Sequence, residues 1–99
     1  MNKAVFLDRD GTINVDKEYL SRIEAFEYLP GTIEGLKILQ DAGYLLIIVT
    51  NQSGIARGYY REEDYLNLEN WMVNDLAQKG IKISASYYCP HHPNGKVVK

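Results

Sequence analysis

The chain has little of what would assign a protein by composition alone. It holds one cysteine in 99 residues, so no disulfide can close within it. Three prolines and eight glycines are too few for a low-complexity or collagen-like segment. The longest apolar run, Tyr44 to Val49, falls far short of the ~20 residues that span a bilayer. Neither sign of charge dominates: 11 basic against 13 acidic side chains give a formal net charge of −2. That balance argues against nonspecific nucleic-acid binding, which needs a basic patch. It leaves phosphorylated small molecules open, because local fields outweigh the total. The first residues lead through Asn2-Lys3 into an apolar strand rather than a secretory leader. With the lone thiol, the expectation is a reducing, cytoplasmic setting and no membrane partner.

What is present reads as one small α/β domain. An apolar strand over Lys3 to Leu7 precedes a long loop, Ile13 to Leu29. Pro30-Gly31-Thr32 opens a helix with Thr32 as its N-cap, Ile33, Leu36, Leu39 and Ala42 form its apolar stripe, and Gly43 ends it. Tyr44 to Thr50 is a continuous apolar run, the pattern of a strand covered on both faces. A polar, glycine-bearing loop (Asn51 to Tyr60) leads to a helix over Arg61 to Lys79, with Tyr65, Leu68, Met72 and Leu76 on one face and Gly80 at its stop. A third strand is expected near Ser84 to Tyr88. Tyr59, Tyr60, Tyr65, Trp71, Tyr87 and Tyr88 could serve as stacking platforms, but core or edge packing is the expectation for most of them. Strands alternating with helices imply right-handed parallel crossovers, and so a Rossmann-like parallel sheet with flanking helices.

Two polar clusters fall at the carboxyl ends of strands, where ligands bind in open parallel sheets. Asp8-Arg9-Asp10-Gly11-Thr12 follows the first strand. Burying two carboxylates two residues apart costs several kcal/mol each unless something pairs with them. If the extended backbone continues past Leu7, Asp8 and Asp10 share a side. A metal ion, a phosphoryl group or both would justify the pair; a surface turn at Asp-Gly is the plainer alternative. Thr50-Asn51-Gln52-Ser53-Gly54-Ile55-Ala56-Arg57-Gly58 follows the second strand. Its neutral hydrogen-bonding groups suit phosphate or sugar oxygens, and Arg57 offers a fork to a phosphate. A polar loop that satisfies its own backbone is the alternative here.

Asp8-Arg9-Asp10-Gly11-Thr12 resembles the first motif of the haloacid dehalogenase superfamily of phosphatases, and Thr50 in Val49-Thr50-Asn51-Gln52-Ser53-Gly54 resembles the second. The wording of residues 50–58 is similar to that of a subgroup acting on heptose 1,7-bisphosphate or histidinol phosphate. The resemblance implies that Asp8 attacks phosphorus to form an aspartyl-phosphate. Asp10 then serves as general acid and base, and Thr50 binds phosphoryl oxygens. It also implies Mg2+ held by the Asp8 carboxylate and the Asp10 backbone carbonyl, a hard ion on hard oxygens. Asp16, Lys17, Glu18 and Tyr19 resemble the family's substrate-contacting segment, with a solvated charged stretch as the alternative. Asn51, Gln52, Ser53 and Arg57 are the further candidates for substrate contact. The implied partner is a small phosphorylated sugar or polyol, heptose 1,7-bisphosphate first and histidinol phosphate second.

Cys89-Pro90-His91-His92-Pro93 resembles half of that subgroup's structural zinc site, with Cys89 and His91 as ligands and two further cysteines downstream. No other cysteine occurs here, and structural zinc takes four protein ligands; a turn with a free thiol is the alternative. The family's third and fourth motifs, a lysine and an acidic pair, normally lie beyond the position of Lys99. The expectation is therefore the N-terminal part of a longer phosphatase, its sheet truncated after about three strands, with a first-strand edge open to self-association. A non-catalytic phosphate- or metal-binding fragment is the reading from another class.

Overall fold

A computed structural model describes residues 3–17 and 20–89. Three strands, β1 (Lys3–Leu7), β2 (Tyr44–Asn51) and β3 (Ile83–Cys89), form a parallel sheet in the order β1-β2-β3. Three helices connect them: α1 (Thr32–Asp41), a single turn α2 (Ser53–Ala56) and α3 (Glu62–Gln78). The register pairs Leu7 with Ile48 and Thr50 with Tyr88, with an irregularity at Leu46/Ile47 against β3.

Both crossovers step the same way across the sheet, from β1 to β2 to β3. Two right-handed crossovers in one direction must lay their helices on one face. The core shows this arrangement: Leu36 of α1 and Met72 and Leu76 of α3 are buried against Leu46 and Ile48 of β2, with Ile13 and Ile81 closing the cluster. The opposite face holds the alternate residues, and Phe6 (67 %), Val49 (48 %) and Tyr87 (60 %) stand exposed there. The expectation that β2 is covered on both faces is thus corrected for the described residues. The uninterrupted apolar run says that both faces are apolar, not that both are covered.

Smaller differences have local causes. The N-cap of α1 is Gly31, not Thr32; Gly31 sits at φ +81°, and Thr32 is already the first helical residue. A left-handed conformation there favours the residue without a Cβ. The Thr32 hydroxyl reaches instead to the Thr12 carbonyl, at 3.4 Å. α3 begins after Arg61 with a capping box: the Arg61 N–H donates to the Asp64 carboxylate at 2.9 Å, and Glu62 and Glu63 add acidic charge at the positive end of the helix.

The segment read as a long loop after Asp10 is partly ordered by backbone pairing. The Val15 N–H donates to the Glu27 carbonyl at 2.7 Å and the Leu29 N–H to the Ile13 carbonyl at 3.1 Å, with a short 3-10 turn at Ile23–Ala25. Phe26 packs edge-on against Trp71 of α3, and the Tyr28 hydroxyl donates to Asp75 at 2.6 Å. These contacts hold the excursion down on α3.

Candidate active site

β1 stops at Leu7 and the chain reverses within the next seven residues. The Ile13 N–H donates to the Arg9 carbonyl at 2.8 Å, and the Gly11 N–H to the Asn14 carbonyl at 2.8 Å, with Gly11 at φ +86°. Exposure alternates through the bend: Asp8 is exposed, Arg9 fully buried, Asp10 half-buried. Asp8 is steadied by the Arg9 backbone N–H, which donates to its Oδ1 at 2.7 Å.

Asp10 is the most heavily held side chain of the site. Arg9 grips its carboxylate with Nε (3.2 Å to Oδ1) and Nη2 (3.1 and 3.2 Å to Oδ1 and Oδ2). The Asn14 amide donates to Oδ1 at 3.0 Å and the Gln52 amide to Oδ2 at 3.0 Å. Gln52 also donates to the Thr50 hydroxyl at 3.1 Å, and the Tyr60 hydroxyl donates to its carbonyl oxygen. Gln52 thus joins the two motifs across the β1–β2 boundary. Its amide is buried and spent on protein partners. Donors from three residues converge on both oxygens of the carboxylate, so together they fix where it points.

Among the other candidates, Thr50 is buried at the end of β2, while Asn51 and Arg57 are exposed at the same edge. Asp16 and Lys17 are exposed on the excursion, with Lys17 in an ion pair to Glu27 at 3.2 Å. Glu18, Tyr19 and His91 lie outside the described residues, as does the Ser53 side chain. Cys89 is an exposed free thiol at the end of β3. No cluster of three or more metal-capable side chains occurs among the described residues. A cavity of about 470 Å³ lies at the far end of the sheet, lined by Gln40, Tyr44, Val73 and Ile81, away from the carboxylates.

Sequence reasoning gave no role to Arg9, Asn14, Tyr60 or Glu69. Glu69 carried a legible signal, since it falls on the Tyr65-Leu68-Met72-Leu76 stripe of α3, where an acidic residue is out of place. Asn14 and Tyr60 sit in loops with no periodicity to betray their burial.

No protein-family model matches the chain. Against curated proteins, it is 53 % identical over 96 residues to the D-glycero-β-D-manno-heptose-1,7-bisphosphate 7-phosphatase of Pasteurella multocida, covering 97 % of the chain and 52 % of that protein. It is 54 % identical over 95 residues to the D-glycero-α-D-manno-heptose-1,7-bisphosphate 7-phosphatase of Photorhabdus laumondii, covering 96 % and 52 %. Among solved structures, the D,D-heptose 1,7-bisphosphate phosphatase of B. bronchiseptica, complexed with magnesium and phosphate, superposes with a TM-score of 0.84 at 33 % identity, covering 93 % of this chain and 52 % of that one. The chain spans about half the length of the curated relatives it matches.

Proposed function

We propose that this chain, a homologue of the heptose bisphosphate phosphatases with a haloacid dehalogenase-like fold, carries the nucleophile of a magnesium-dependent phosphomonoester hydrolysis. The substrate would be D-glycero-D-manno-heptose 1,7-bisphosphate, cleaved at the 7-phosphate. The observation that supports this reading is the pairing of an exposed Asp8 with an Asp10 immobilised by Arg9, Asn14 and Gln52, beside Thr50. Residues 1–99 would form one part of a single such domain, in a cytoplasmic enzyme. No helix among the described residues is long and apolar enough to cross a membrane.

In this reading a carboxylate oxygen of Asp8 attacks phosphorus as the bond from phosphorus to the sugar oxygen breaks. Asp10 gives its proton to that departing oxygen. Asp10 then takes a proton from the water that attacks the aspartyl-phosphate, which restores Asp8 and releases phosphate. The Thr50 hydroxyl binds a phosphoryl oxygen. Asn51 and Arg57, both exposed, would contact the rest of the substrate, and the sequence Asp16-Lys17-Glu18-Tyr19 would supply further contacts. The donor set fits magnesium: the Asp8 carboxylate and the Asp10 backbone carbonyl are hard oxygens, and the Asp10 carboxylate is already occupied by protein donors. When bound, the ion offsets the negative charge gathered by substrate and aspartates. Cys89 and His91 would supply two ligands of a structural zinc, a reading that rests on the sequence Cys89-Pro90-His91 alone and that metal analysis of purified protein tests.

The deciding experiment is phosphate release from heptose 1,7-bisphosphate and from histidinol phosphate, with magnesium and with chelator. We expect magnesium-dependent release from the heptose ester. Asp8→Asn should lower it by roughly 10⁴-fold or more with the circular dichroism spectrum unchanged. Undiminished turnover by that variant would remove Asp8 as nucleophile.

A further inference from the structure

We propose that Glu69 of α3 is a positioning residue for Asp10, acting through Arg9: it holds the buried guanidinium from behind and so fixes the carboxylate that Arg9 grips in front. This rests on the phosphatase reading above.

Arg9 is fully buried at the end of β1 with its two edges turned to different carboxylates. Nε and Nη2 face Asp10, while Nη1 lies 3.8 Å from Oε1 of Glu69. Neither Nη1 nor that Oε1 meets a well-aligned hydrogen-bond partner among the described residues; the two face each other as an ion pair, and the Tyr65 hydroxyl lies beside the same carboxylate. The Tyr65 ring lies under the guanidinium, 5.3 Å from its carbon, and limits its tilt. The other oxygen of Glu69 accepts from the Ser86 hydroxyl of β3. A continuous line of contacts therefore runs Ser86–Glu69–Arg9–Asp10, from the third strand to the first.

The arrangement has a physical logic. A buried guanidinium demands a counter-charge. Were Asp10 the sole one, Arg9 could follow it through any movement and would draw it inward. A second carboxylate, fixed on a helix and tied to a strand, pins Arg9 so that its fork becomes a rigid seat. Glu69 is held there against desolvation: burial, and to a lesser degree the Asp10 charge, raise its pKa, and the Ser86 hydroxyl, Arg9 and the Tyr65 hydroxyl oppose that rise. Nothing in the proposed chemistry uses Glu69 directly.

The test separates positioning from mere structure by leaving group. An alkoxide leaving from a sugar needs the Asp10 proton; p-nitrophenolate leaves without it. Glu69→Gln should lower kcat on heptose 1,7-bisphosphate on the order of 10-fold or more, with KM and the p-nitrophenyl phosphate rate within about twofold. Ser86→Ala, which removes only the hydroxyl that holds Glu69, should move the same ratio less far, and it stands in if Glu69→Gln does not fold. An unchanged ratio, whether both esters fall together or neither does, overturns the proposal. Failure of the phosphatase reading looks different, because the unsubstituted protein then hydrolyses neither ester. Crystal structures then decide: Asp10 displaced from Asn14 and Gln52 in Glu69→Gln supports positioning, and Asp10 unmoved overturns it.

Discussion

The two faces of the sheet are built from the same strands and meet different fates. On one, Leu46 and Ile48 lie dry beneath α1 and α3. On the other, Phe6, Leu45, Val49 and Tyr87 are exposed, although they are as apolar as their buried neighbours. Strands apolar on both sides are characteristic of parallel sheets with helices on both faces. The difference teaches that handedness, not hydrophobicity, chose the covered face. Two right-handed crossovers running in one direction have only one side on which to place their helices. Contiguous exposed apolar surface of this kind marks a surface made to be covered. The chain spans about half the length of its curated relatives.

The comparison breaks if substitutions on the two faces cost the same. Ile48→Ala removes a fully buried side chain between α1 and α3, and should lose about 2–5 kcal/mol of stability in a denaturant melt. A loss below about 1 kcal/mol would mean that this face is not close-packed. An intermediate effect is expected where the excursion after Asp10 is tied to α3. Asp75 accepts from the Tyr28 hydroxyl and from Lys79 at 3.0 Å. The Tyr28 bond, followed by Lys79, holds the Asp75 carboxyl below its ordinary value in spite of partial burial. A depressed folded-state pKa gives stability that is complete above the ordinary aspartate range and is lost as the pH falls through the depressed value. Asp75→Asn should therefore cost about 1 kcal/mol near neutrality, with the difference from the unsubstituted protein shrinking below roughly pH 4. A pH-independent difference would assign the effect to packing. The smallest change is expected on the bare face. Phe6→Ser should alter stability by no more than about 0.5 kcal/mol. In sedimentation the same variant should show less concentration-dependent association than the parent. A loss above 2 kcal/mol would show that Phe6 is covered in solution.

Much of the frame was legible beforehand. The 3.6-residue stripe of α3 placed Tyr65, Leu68, Met72 and Leu76 in the core, where they lie. Strand ends were legible because polar clusters and glycines interrupt the apolar runs. The α1 cap was misassigned because a hydroxyl is a common N-cap, whereas Gly31 reached the position by adopting a positive φ. The one-turn α2 lacked any apolar period long enough to read. Within the site, the sequence singled out Asp8, Asp10 and Thr50, yet it could not show that Gln52 spends its amide on Asp10 and Thr50. That amide would have suited a ligand equally well by composition.

The sequence by itself determined the chemical vocabulary: two carboxylates around an arginine at the end of a strand, and a threonine-led polar loop at the end of the next. Those are local facts, carried by contiguous residues and by the reach of a strand. Only the tertiary structure decided which groups hold them. Asn14 folds back through a turn, and Glu69 arrives on a helix 60 positions away to meet Arg9. The choice of covered face was likewise settled in three dimensions. Pairing and burial depend on distances through space, which periodicity along the chain does not contain.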